Sequence, residues 1–167
     1  VLVDDLVTLG TLEPYRQFPP RAEYRLQLRE DNADERLTEL GRNLGLVTDD
    51  HWAKYAVKHT VIKDELNRLD NTFIHPNTEQ AESLNAKLSS SLAREYSMAD
   101  LIRRPELSYV DVASLKGEAI ADKATAEHIE TKVKYAGYIA RQQDEIDRLK
   151  RHEKTVIPEG FDFKQVS

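Results

Sequence analysis

Arg16, Arg21, Arg25, Arg29, Arg36 and Arg42 crowd into the opening quarter of this 167-residue chain. Arg21, Arg25 and Arg29 step by four, so on a helix they share one face while Glu23 and Glu30 fall nearly opposite. A row of guanidinium groups uninterrupted by acids suits a phosphate backbone, because each planar group can set two donors on phosphate oxygens. The same arginines can instead pair with Glu13, Asp31, Asp34, Glu35 and Glu39, which nearly neutralise the segment. Composition alone favours that internal pairing. Tyr15 and Tyr24 lie in the same stretch and offer either a face for a stacked base or, more in keeping with tyrosine, packing at a domain joint.

Other chemistry is scarce. The chain has no cysteine, which removes disulfides, thiolate metal sites and a cysteine nucleophile from these residues. His51, His59, His75, His128 and His152 show no metal-ligand spacing and are expected at the surface. Gly41 and Gly45 stand as helix stops, not as a nucleotide fingerprint. No Ser-His-Asp set suggests itself. No catalytic, cofactor-binding or metal-ligating residue is therefore assigned. Arg148, Lys150, Arg151, His152 and Lys154 make the last helix basic at its end, where they complement its dipole. Gly137, between Tyr135 and Tyr138, sits mid-helix at a cost of up to ~1 kcal/mol, which predicts close approach of another backbone.

The elements that must position these residues are helical. Charged residues make up 32% of the chain and hydrophobic ones 40%, which permits a helical core with long solvated faces. The formal net charge is −6, so any contact with a nucleic acid must be local. No stretch approaches the ~20 apolar residues needed to cross a bilayer, and a cytoplasmic location is expected. Met98 is the only methionine and the chain opens on Val1-Leu2-Val3-Asp4-Asp5, which reads as the tail of a strand from something larger.

Residues 1–20, with Gly10, Pro14, Pro19 and Pro20, are expected to form an extended arm, and residues 21–167 a helical domain. Helices are predicted over residues 21–29, then 33–43 with Asp31 or Asn32 as cap, and from Thr48 to about Asp70 with Trp52, Tyr55, Ile62, Leu66 and Leu69 buried. Further helices are predicted over residues 78–88, from Ser97 to near Pro105, and as a turn from Tyr109 to Leu115. The longest runs from about Thr125 to Glu153, with an apolar stripe through Ile129, Val133, Ala136, Ala140, Ile146 and Leu149. The fold class is all-α, a helical bundle with an extended N-terminal arm and a long C-terminal helix.

Two stretches carry a resemblance. One is Glu13-Pro-Tyr-Arg16, continuing through Arg21-Ala-Glu-Tyr-Arg-Leu26, Leu28-Arg-Glu-Asp-Asn-Ala-Asp34 and Arg36-Leu-Thr38; the other is Lys134-Tyr-Ala-Gly-Tyr-Ile-Ala-Arg-Gln-Gln143. With Arg103-Arg104-Pro105-Glu106 between them, they resemble the MnmG (GidA) family, in the same order and over essentially the whole chain. The resemblance implies a parent enzyme that binds FAD in a separate Rossmann-type domain and uses NADH. With the GTPase MnmE, it adds an aminomethyl-type group to C5 of the wobble uridine in tRNA. It also implies a homodimeric parent, and a C-terminal helical region that contributes tRNA and MnmE contacts but no catalysis. On that reading Arg21, Arg25, Arg29 and Arg36 touch RNA, while Tyr15, Arg16 and Tyr24 lie at the joint to the flavin domain. Further, the chain stops before a terminal helical section that family members use for MnmE. Pro19-Pro20 stands where the family has a Thr-Ser pair, so no hydroxyl role carries over there. The alternative is a purely structural, dimerisation or docking module without direct tRNA contact.

Overall fold

Short polar residues start the helices. The hydroxyls of Thr48, Thr78, Ser97 and Ser108 accept the N–H groups of His51, Ala81, Asp100 and Asp111, three residues on in each case. Each such cap stabilises its helix by about 1 kcal/mol, and Ser108 with Asp111 completes a reciprocal capping box. A computed structural model describes residues 6–12, 24–153 and 155–156. Its elements in chain order are α1 (Ala33–Asn43), α2 (Asp49–Asn71), β1 (Phe73–Ile74), α3 (Glu79–Asn85), β2 (Tyr96–Ser97), α4 (Met98–Ile102), α5 (Tyr109–Ala113), a 3₁₀ turn (Ser114–Lys116) and α6 (Lys123–Glu153). The strands pair antiparallel, Phe73 opposite Ser97 and Ile74 opposite Tyr96. Strands of two residues are too short to leave an alternation in the sequence.

The core lies where α2, α4, α5 and the first half of α6 meet. Ile62 and Leu69 of α2, Met98, Leu101 and Ile102 of α4, Tyr109 and Val112 of α5, and Ile129 of α6 are at most 2% exposed. Each buried side chain of this kind contributes roughly 1.5–3 kcal/mol by leaving water. Tyr55 is buried as expected, whereas Trp52 and Leu66 are only partly covered. Along α6 the expected stripe holds at Ile129, Val133 and Ile146, but Ala140 and Leu149 are exposed.

One polar cluster runs through this core. Glu65 is 8% exposed, and its Oε1 accepts Arg68 Nη2 (2.7 Å) and the Tyr109 hydroxyl (2.7 Å) while Oε2 accepts Arg68 Nε (2.7 Å). The same Tyr109 oxygen accepts the Ile120 N–H (3.0 Å), and Arg68 Nη1 donates to Lys116 O (2.8 Å). Burial opposes the charge on Glu65, but the bonds from Arg68 and Tyr109 win and hold its carboxyl below the usual range.

Three expectations need correction. Residues 24–29 form turns and irregular backbone, not the end of a helix, because Tyr24 adopts φ 55° and its carbonyl accepts the Gln27 N–H (2.8 Å); the break expected at Glu30, Asp31 and Asn32 is present. A left-handed residue cannot sit inside a right-handed helix. Residues 6–8 take a helical turn rather than an extended path, and Gly10 at φ 64° follows it. No described heavy atom beyond its own surroundings comes within 4 Å of where a Cβ on Gly137 would stand, so the close approach expected there is not made by the described residues.

Tyr109→Phe removes the hydroxyl shared by Glu65 and the Ile120 N–H. We expect a loss of about 1–3 kcal/mol, seen as a lower urea midpoint with an unchanged m-value. A midpoint equal to that of the parent chain would show that the cluster adds nothing.

Candidate nucleic-acid interface

Asn32 shapes the turn that bears the candidate arginines. Its Nδ2 donates to Gln27 O (2.9 Å), and its Oδ1 accepts the Arg29 N–H (3.3 Å) and Arg36 Nε (2.9 Å). It therefore sits at the N-cap of α1 without a side-chain cap bond, because its side chain faces back into the turn. Gln27 Nε2 donates to Gln143 Oε1 (3.0 Å), and the Arg29 guanidinium lies 5.6 Å from the Tyr135 ring centre, which rests the turn on α6.

The predicted site residues separate here. Arg29 is held, with its side chain 18% exposed, by a forked pair to Asp31 (2.7 and 2.9 Å) and a bond from Nη1 to Leu26 O (2.7 Å). That bonding keeps Arg29 above and Asp31 below their ordinary pKa values. Arg36 is exposed, and its Nη2 donates to Arg29 O (3.3 Å). Arg25 is exposed and has no ion-pair partner among the described residues. Tyr24 lines a shallow opening with Arg25, Leu26 and Gln142. Arg21, and with it Arg16 and Tyr15 of the expected joint, lie outside the described residues.

Behind the turn, Glu35 fastens α1 to α6. Lys132 Nζ donates to both Glu35 oxygens (2.8 and 2.7 Å), and His128 Nε2 lies 3.1 Å from Oε1. The bond to His128, then those to Lys132, outweigh partial burial and bring the Glu35 carboxyl down to about 2. His128 is 7% exposed, against the expectation of a surface histidine. Its position one residue before the buried Ile129 and four before Lys132 was the signal available in the sequence. Arg29, Asp31, Lys58, Asp122, His128 and Tyr135 line a cleft of about 830 Å³ between the turn and the start of α6. Its charges are mixed, and Lys58 is committed to Asp34 (2.7 Å). Among the described residues no group of acids, histidines or cysteines could hold a metal ion, and no helix is long and apolar enough to cross a membrane.

The order of these elements can be set beside known proteins. Residues 49–143 match the family described as the tRNA modifying enzyme MnmG/GidA C-terminal helical domain. The chain belongs to that family. A structure of Aquifex aeolicus GidA in its form II crystal superposes with a TM-score of 0.71 at 30% identity, covering 99% of this chain and 25% of that one. The form I crystal gives 0.68 at 30% identity, covering 99% and 24%. The chain thus spans about a quarter of the length of these GidA proteins. Relative to the family match, the Asn32 turn and Glu35 lie before residue 49 and His128 and Lys132 lie within it, so the clasp ties the turn to the matched helices.

Because the Glu35 carboxyl sits at about 2 in the fold against an ordinary 4.5, its contribution is complete above about pH 4.5 and disappears as pH falls towards 2. The stability difference between the chain and its Glu35→Gln variant should be on the order of 2 kcal/mol at pH 7 and shrink steadily below pH 4.5. Comparing the pair cancels the titration of Asp111, which the Lys87 and Ser108 bonds also hold at about 2. A pH-independent difference in urea unfolding would refute the clasp.

Proposed function

We propose that this chain serves as the tRNA-contacting helical part of an MnmG/GidA-type enzyme, with Arg25 and Arg36 bonding phosphates of the tRNA backbone. Membership of the tRNA-modifying family over residues 49–143 carries the reading. In support, Arg25 is exposed on a turn whose backbone is fixed by Asn32, and Arg36 is exposed in the first turn of α1 that follows it. Arg21 remains in the proposed set with them. Arg29, bonded to Asp31 and to Leu26 O, contributes by holding the turn's shape and presents less of its guanidinium to RNA.

The parent activity we propose is the FAD- and NADH-dependent addition of an aminomethyl-type group to C5 of the wobble uridine, in concert with MnmE. The described helix-flanking glycines do not form a flavin cradle. Gly41 faces Val47 from inside α1, Gly45 at φ 74° comes after α1, and Gly117 packs on Arg68, so none opens a glycine-rich turn into a helix. On this reading flavin and nicotinamide chemistry, and most MnmE contacts, belong to other parts of a homodimeric parent. A second reading, a structural and docking module without RNA contact, draws on the Arg29–Asp31 pair and the Glu35 clasp, in which charges are spent on one another.

Binding of unmodified tRNA across a salt titration separates the two. In the tRNA reading the chain binds with steep salt dependence, and Arg25→Ala and Arg36→Ala each make the slope of log K against log salt shallower by about 1. Absence of tRNA affinity in the chain would favour the docking module. Affinity with slopes unchanged by both substitutions would remove Arg25 and Arg36 from the phosphate contacts.

A further inference from the structure

Tyr96 carries two arginines from different parts of the chain. The guanidinium carbon of Arg94 lies 5.1 Å from its ring centre and that of Arg104 lies 4.7 Å from it. The two cations are thus at most about 10 Å apart, roughly one Debye length in physiological salt, so their repulsion is only partly screened. The acids nearby in sequence are engaged elsewhere. Glu95 is 3.2 Å from His75, Asp100 pairs with Arg103 at 2.6 Å, and Glu106 accepts the Ser89 hydroxyl at 2.7 Å and acts on Arg104 only through space. Neither Arg94 nor Arg104 has a salt-bridge partner among the described residues.

The mounting is rigid. Tyr96 is paired with Ile74 across the two-stranded ladder and packs on the core. The Arg104 N–H donates to Leu101 O (3.1 Å), and its carbonyl accepts the Leu107 N–H (3.2 Å), between two residues at most 1% exposed. A cation after α4 complements the end of that helix. That does not account for Arg94, which comes from the loop before β2. Contact with one ring biases both guanidiniums towards the same patch, which lowers the side-chain freedom to be lost when they meet a ligand.

We propose that Arg94, Tyr96 and Arg104 form a clamp for the phosphodiester backbone of RNA, additional to Arg25 and Arg36. The proposal rests on the tRNA reading above and adds a second contact, carried by β2 and the end of α4. Two forked donors held within about 10 Å of each other can take oxygens of neighbouring phosphates. In a chain of net charge −6, a local pair of cations without salt-bridge partners is what attraction to a polyanion requires.

The test is fluorescence-anisotropy binding of unmodified tRNA by this chain and its Arg94→Gln/Arg104→Gln variant over a range of salt. We expect at least tenfold weaker binding at low salt and a slope shallower by about 1–2. Tyr96→Phe, which keeps the ring, should bind like the parent chain. Urea midpoints check the fold. Should the double variant be destabilised, Arg94→Gln alone, at an exposed position, reads the same slope. An unchanged slope in these variants, with Arg25→Ala still effective, overturns the clamp and leaves the tRNA reading standing. No tRNA affinity in the unsubstituted chain overturns both.

Discussion

A carboxylate inside a helical core must be given donors or it costs more than the packing around it returns, and Glu65 meets that demand. Its three bonds come from its own helix and from Tyr109 of α5, so the rotation of α5 against α2 is specified and not merely permitted. Arg68, fixed by Glu65, then reaches the Lys116 carbonyl. This arrangement demands Gly117, which takes φ 128° and whose Cβ, were there one, would stand 2.9 Å from Arg68 Nη1. The Tyr109 oxygen meanwhile binds the Ile120 N–H and so sets where the chain turns into α6. One largely buried ion pair therefore aligns α2, α5, the 3₁₀ turn and the entry to α6, which apolar contact alone would let slide.

The same device recurs with less burial. Glu130 of α6 accepts the Tyr109 N–H (2.7 Å) and Lys134 Nζ (2.8 Å). Asp111 serves the Ser108 cap and pairs with Lys87, and Glu35 draws α1 onto α6. Ion pairs of this exposure stabilise weakly one by one, but they are directional. In a protein with this many charges and a thin core, they choose between helix arrangements of similar apolar burial. They also bear on function. Most cations near the turn are already bonded to acids, so the number of arginines says little about affinity for a polyanion.

How much of this was legible can be judged residue by residue. Helix starts were, since Thr48, Ser97 and Asn32 announce themselves by type and by the helix-forming residues after them. The boundaries of α1 fell at Ala33 and Asn43 as the sequence suggested. Tyr24 was not legible. A tyrosine at φ 55° has no compositional mark, and the step of four from Arg25 to Arg29 imitates a helical face that the backbone does not make there. Nor was the role of His128, whose burial depends on α1 folding back across it, a contact between residues 93 positions apart. The arginines on Tyr96 escaped for the same reason: nothing in the spacing of Arg94 and Arg104 shows that a turn of α4 brings them to one ring. Local signals were read correctly where local energy decides; they failed where a long-range partner decides.

The two clasps differ in what they control. Glu65 is enclosed by the core, so disturbing it disturbs the whole helical assembly. Glu35 has a fifth of its side chain in water and joins only α1 to α6. Losing it removes one tie between α1 and α6, while the Asn32 turn keeps its Gln27–Gln143 bond and the core of α2, α4 and α5 keeps its own contacts. The clamp on Tyr96 does not depend on the Glu35 clasp, since it hangs on the β1–β2 ladder and α4. Two cationic surfaces with independent supports can adjust to a curved, stiff polyanion in a way that a single rigid row cannot. That difference of support is the physical reason the proposed RNA contact includes both rather than one arginine face.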